Sequence, residues 1–119
     1  MVLAAIVLQG LLAVIFFMSG GTKLLGTKMQ IDNFNHYGYP QRFRLVTGAV
    51  EVTGAAAMVV GVWVSAVAIG AGFWLGATMI GAFYTDLFRV GSLGRAAAPA
   101  VLLALALAVV ALRIADIAD

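Results

Sequence analysis

The sequence predicts an all-α integral membrane four-helix bundle, antiparallel, with an amphipathic interfacial connection between its first two helices. Three observations lead there. Hydrophobic residues make up 64% of the 119-residue chain and charged residues only 10%, with a mean hydropathy of +1.10. A soluble domain carries about a quarter of its residues as charges, so polar surface is too scarce here to coat a globule in water. The apolar residues also fall into stretches that fit four crossings of about 20 residues each, with the charges gathered between them. Residues 1–119 read as a single membrane domain.

The first span runs from about residue 2 to 21, uncharged, with Gln9 as a polar interruption. A secretory signal peptide has a basic start and a shorter apolar core, so this segment is expected to be a retained helix. Residues 22–44 form the long polar connection, with Lys23, Lys28, Asp32, His36, Arg42 and Arg44 set among Met29, Ile31, Phe34, Tyr37 and Tyr39. That mixture suits a short helix lying in the headgroup region. Gly38-Tyr39-Pro40 breaks it, because Pro40 disfavours helix at Tyr39.

The apolar run from Leu45 to Tyr84 is too long for one crossing, since 40 residues of helix extend about 60 Å. The turn is expected at Gly61-Val62-Trp63-Val64-Ser65, with Trp63 at an interface. Span two is then about 45–62 and span three about 65–84, antiparallel neighbours joined by a very short loop. A second charged connection, 85–95, leads to span four at about 96–114, with Pro99 in its first turn, where a missing N–H is harmless. Arg113, Asp116 and Asp119 are expected to end the chain in water. Four Lys and Arg lie in 22–44, two in 85–95 and none in 61–65. The positive-inside rule puts both charged connections in the cytoplasm and both termini outside.

Composition also excludes chemistry. The chain has no cysteine, which removes disulfides, thiolate metal sites and dithiol redox work. A single histidine, His36, cannot form a multi-histidine site, and no metal site is expected. The net charge of +2 comes from basic residues that flank apolar spans, so nucleic acid is not an expected partner. Phosphate loops, nucleophile motifs and nucleotide fingerprints are absent from the sequence, and no self-sufficient catalytic constellation is evident.

Glu51 is the strongest functional clue. An acid at membrane depth costs about 2.5–3.5 kcal/mol on insertion scales, so a partner or a function must hold it. Thr47, Gly48, Gly54 and Ala55 share its helix face and are small enough to let another helix approach. Glu51 should therefore face the bundle interior, about 9 Å from the basic side. Ser19 and Thr78 lie at similar depth, and either hydroxyl can donate to the carboxyl group. One reading is a neutral, hydrogen-bonded Glu51 that locks helix packing; a second is a role in ligand contact or proton handling; a third is a polar slot exposed by helix tilt. Lys23 either snorkels to headgroups or pairs with Glu51 or Asp86. Asp86 is also a candidate ion-pair partner of Arg89. His36, Tyr37 and Tyr39 either anchor the interface or form a lid over the bundle mouth. Gly72-x-x-x-Gly76 on span three favours close helix approach. Trp74, near mid-membrane, needs an acceptor for its indole N–H and either packs or lines a pocket for a flat lipophilic ligand.

Several segments taken together resemble the DoxX-like family of small four-helix bacterial membrane proteins. They are Phe17-Met18-Ser19-Gly20-Gly21-Thr22-Lys23-Leu24, then Gly38-Tyr39-Pro40, then Gly48-Ala49-Val50-Glu51-Val52-Thr53-Gly54-Ala55, and Ala82-Phe83-Tyr84-Thr85-Asp86 followed by Pro99. Their order and spacing cover nearly the whole chain. The resemblance implies a multi-pass protein of the bacterial inner membrane. It also implies a link to quinone-dependent or redox-stress processes in some relatives, and to membrane chaperone or sorting roles in others. Two functions are expected to compete. One is binding of a lipophilic small molecule, a quinone or a lipid, in the bundle near Glu51, as a redox-linked membrane subunit. The other is a non-enzymatic accessory, chaperone-like or structural subunit that forms a homo-oligomer or joins a larger membrane complex.

Overall fold

A computed structural model describes residues 2–118. Five α-helices follow in order: α1 Val2–Leu25, α2 Lys28–Tyr37, α3 Gln41–Val60, α4 Ser65–Tyr84 and α5 Leu93–Ala118, with a π-helical segment Thr85–Val90 continuing α4. Among the described residues α1, α3, α5 and α4 with its π extension are each long and apolar enough to cross a membrane. The molecule measures 47 × 27 × 17 Å. Its long axis matches a bilayer with its headgroups, about 40–45 Å.

The helix ends follow from local chemistry. α1 runs one turn past the expected Gly21, because nothing stops it before Gly26, which takes a left-handed φ of +70°. α2 ends in a Schellman motif at Gly38 (φ +80°), where the Gly38 N–H reaches the Asn35 carbonyl and the Tyr39 N–H the Phe34 carbonyl. Pro40 follows, and α3 starts at Gln41, earlier than the expected Leu45, so Arg42 and Arg44 are helical. The turn between α3 and α4 falls at 61–64, as expected, with Trp63 exposed. Gly61 is required there: a Cβ would lie 2.7 Å from Ala68 Cα. Ser92 caps α5 by accepting from the Arg95 N–H at 3.1 Å. The cap moves the helix start to Leu93, so Pro99 lies inside α5 and not in its first turn. Lacking an N–H, Pro99 leaves the Arg95 carbonyl without its helical partner.

The helices form a ring. α1 packs on α3 and α4 on α5 most extensively, while α3 meets α4 and α1 meets α5 over shorter seams. Leu12, Phe16, Met58, Leu75 and Val109 fill the core. Small residues set the spacing. A Cβ on Gly20 would lie 2.7 Å from the Gly48 carbonyl oxygen, and one on Gly48 would lie 2.8 Å from that of Gly20. Gly54 lies under Leu75 and Trp74, and Gly72 against Val110 and the Ala106 carbonyl. Of the residues expected to share the Glu51 face, Gly48, Gly54 and Ala55 are buried and Thr47 is half-buried.

The Gly20–Gly48 contact has no slack on either side, because backbone faces backbone. Gly48→Ala should destabilise the bundle by about 1–3 kcal/mol through overpacking, read as a lower midpoint of unfolding in detergent. Gly21→Ala, where a Cβ meets nothing within 4 Å, should hold or raise that midpoint.

Candidate functional site

Ser19 and Lys23 are four residues apart on α1 and therefore lie one above the other. The glycine contact brings α3 onto that face, and Glu51 is one turn along from Gly48. Lys23 Nζ sits 2.8 Å from Glu51 Oε1 and donates to Ser19 Oγ at 2.7 Å. Ser19 Oγ in turn donates to Glu51 Oε1 at 3.1 Å. The Glu51 side chain is 4% exposed and that of Lys23 13%. The ammonium at this depth is therefore an ion-pair partner and not a snorkelling group. Arg44 donates to the Lys23 carbonyl and, at 2.7 Å, to Gln41, so a cation closes the negative end of the α1 dipole.

A cavity of about 380 Å³ opens between α3 and α4 beside this pair. Lys23, Glu51 and Asp86 stand in its wall, with Met79 and Ala82 behind them. Exposed Val46, Ala77 and Gly81 belong to its rim. A smaller space of about 170 Å³, between α1, α4 and α5, is lined by the same five wall residues and by Ser19. The ion pair therefore forms the partition between two openings.

Aromatic rings roof the larger cavity. Phe34 and Tyr37 of α2, Tyr39 of the turn and Phe43 of α3 pack with centroids 5.0–6.4 Å apart. The π-helical segment ties the roof down. Tyr39 Oη is 2.9 Å from Thr85 Oγ1, Arg89 Nε donates to the Tyr37 carbonyl at 2.8 Å, and its guanidinium stacks 4.5 Å from the centre of the Tyr39 ring. Burial pushes the Tyr37 phenol above its ordinary range, and the Asp86 carboxylate adds to the rise, so Tyr37 keeps its proton.

Several side chains make contacts other than the expected ones. Thr78 does not reach Glu51; its hydroxyl donates to the Trp74 carbonyl one turn back at 2.9 Å, although Thr78 does line the cavity. Trp74 does not line the cavity. It is 49% exposed and donates from Nε1 to the Val50 carbonyl at 2.9 Å, stitching α4 to α3. Asp86 and Arg89 form no ion pair, because the wider π turn carries Arg89 round to α2. Of the expected lid residues, Tyr37 and Tyr39 lie over the cavity, while His36 is exposed and faces elsewhere.

The opposite end of the bundle holds a second polar centre that the sequence reading missed. Arg113 is 4% exposed, not in water. Its Nε donates to Gln9 Oε1 at 2.8 Å, its Nη2 to the Val62 carbonyl at 3.1 Å, and its Nη1 reaches Ser65 Oγ at 3.4 Å. Gln9 Nε2 donates to the Met58 carbonyl at 2.9 Å. Asp116 stands 3.6 Å from Arg113 and belongs to this end; Asp119 lies outside the described residues. The signal was present as an uncharged first span with one amide and an apolar stretch from Ala96 to Ile114 with one guanidinium. Among the described residues no group of three or more His, Asp or Glu is placed to hold a metal ion.

The fold and its two polar centres define a small membrane protein with four potential spans and a buried ion pair beside a cavity between α3 and α4. The chain belongs to the DoxX-like family, whose model matches residues 7–109. It is 34% identical over 76 residues to the uncharacterized protein YdgD of Bacillus subtilis (strain 168), a match covering 63% of this chain and 67% of that protein. No solved structure matches it.

Removing one member of a buried ion pair leaves the other charge unpaired, a loss of about 3–5 kcal/mol. Glu51→Leu and Lys23→Met should each lower stability on that scale, and Lys23→Met/Glu51→Leu together should recover most of it. Glu51→Gln, which still accepts from Ser19 and Lys23, should retain the fold. A double-mutant cycle of unfolding midpoints in detergent reads the coupling; additive losses would show that the two side chains act independently.

Proposed function

We propose that this protein binds a lipophilic small molecule with one polar head, of the lipid or quinone class, in the cavity between α3 and α4. The observation that carries this reading is the cavity itself. Its volume of about 380 Å³ falls in the range of small-molecule sites, about 300–1,000 Å³. Its wall is mostly apolar, and its charged groups, Lys23, Glu51 and Asp86, gather at the partition shared with the smaller space. Such a division suits a tail lying along α3 and α4 with a head beneath the aromatic roof. The chain itself supplies no redox group, so any redox link would come through the bound molecule. Ala82 lines both spaces and lies between them. Ala82→Phe should fill the junction and empty the site. Native mass spectrometry from mild detergent should find a co-purified molecule on the wild type and lose it in Ala82→Phe; identical spectra would overturn the reading.

We place the protein in the bacterial cytoplasmic membrane, with the α2 end of the bundle in the cytoplasm and both termini outside. Six of the seven Lys and Arg residues, all but Arg113, lie at that end, which is the support the positive-inside rule offers. The chain has no native cysteine to remove for labelling. Trp63→Cys should react with an impermeant maleimide on intact cells, and Ser92→Cys only after lysis. The reverse pattern would invert the topology.

A further inference from the structure

The hydrogen-bonding capacity of the cavity wall is unevenly spent. Three threonines line it, and each hydroxyl proton is committed to its own helix: Thr47 to the Phe43 carbonyl at 2.8 Å, Thr78 to the Trp74 carbonyl at 2.9 Å and Thr85 to the Gly81 carbonyl at 3.0 Å. With its proton so used, Thr85 Oγ1 is the acceptor in the contact with Tyr39, which spends the Tyr39 proton too. Two of the three Lys23 N–H groups go to Glu51 and Ser19. The donors left over are one Lys23 N–H and the Tyr37 O–H.

The acceptors left over are far more numerous. Among the described residues the Asp86 carboxylate makes no ion pair and no side-chain hydrogen bond, and it lines both spaces. Glu51 Oε2 is met only by Ser19, at 3.3 Å. Two carboxylates face one ammonium, a local excess of one negative charge. The neighbouring cations offset it only in part, with Arg95 acting on Asp86 from outside the cavity. Arg89 is engaged by the Tyr37 carbonyl and the Tyr39 ring, Arg95 lies 3.5 Å from Tyr37 Oη, and neither lines the cavity. The faces of Phe34, Tyr37, Tyr39 and Phe43 complete the wall, and aromatic faces attract cations.

We propose that the cavity selects a donor-headed amphiphile, a protonated amine on an apolar body, over acceptor-headed molecules such as a quinone. The amine takes the Asp86 carboxylate and the free Glu51 oxygen, while its apolar body lies between α3 and α4. A quinone offers only carbonyl oxygens and would leave Asp86 unmatched. The amine can come from an aminolipid of the bilayer or from a free lipophilic amine. This inference rests on the binding site proposed above.

The test uses the full chain in an uncharged detergent at neutral pH, titrated with dodecylamine, dodecanoic acid and a decyl-substituted benzoquinone, with binding read by native mass spectrometry. Dodecylamine should bind about tenfold more tightly than either competitor, the ratio that one charge-assisted hydrogen bond supplies. Asp86→Asn, which keeps shape and removes charge, should abolish that preference while leaving the unfolding midpoint near wild type. Enrichment of phosphatidylethanolamine over phosphatidylglycerol in the co-purified lipid would identify the aminolipid as the source. Dodecylamine selectivity without that enrichment would point to a free amine. Equal or tighter binding of the acid or the quinone, with all three lost in Ala82→Phe, would overturn the head-group preference and leave the site standing. Failure of every probe to bind would remove both.

Discussion

The approach of Gly20 to Gly48 is the constraint on which the rest of the site depends. Two backbones in contact leave no room for solvent or lipid between α1 and α3. Side chains one turn further on must then meet each other, and they are Ser19, Lys23 and Glu51. A carboxylate and an ammonium would each be expensive alone at this depth. Together, with a hydroxyl bridging them, they offset most of that cost and hold the two helices in one register. The pair also defines the cavity, since a wall must be rigid before a space beside it can persist.

The two polar centres divide the labour between the ends of the bundle. Arg113 gathers Gln9, Ser65 and the backbone carbonyls of Met58 and Val62 into one network. That end has the character of a clamp, fixing four helices where the connecting turn is shortest. At the other end the helices part, and the α3–α4 seam is stitched by Trp74 just where the opening begins. Closing one end firmly lets the other stay open without loss of the fold.

Much of this was legible in the sequence, for identifiable reasons. Four apolar stretches and two glycine-bounded connections specify the bundle, because backbone hydrogen bonding in lipid allows little else. Glu51 with Gly48, Gly54 and Ala55 on its face specifies an inward-facing acid by periodicity alone. Partner choice was less legible. Ser19 and Thr78 look equivalent by depth, but only Ser19 lies on the helix that Gly48 contacts; Thr78 satisfies itself on its own backbone. Arg113 reads as a terminal charge because linear position suggests water, whereas α5 runs on to Ala118 and keeps it inside. The π turn is invisible to a 3.6-residue period, and with it went the correct placement of Arg89.

The rim at Val46, Ala77 and Gly81 has a consequence for how the cavity fills. With the proposed site set in a bilayer, this mouth, rimmed by exposed residues of α3 and α4, would open sideways into a leaflet and not toward an aqueous phase. The proposed amphiphile would then arrive by lateral diffusion in two dimensions, with its tail never leaving hydrocarbon and its head never leaving the polar layer. The quantity that governs occupancy is then mole fraction among neighbouring lipids. A contact that would look feeble against a molar standard state can stay saturated wherever its guest is a common constituent of the membrane.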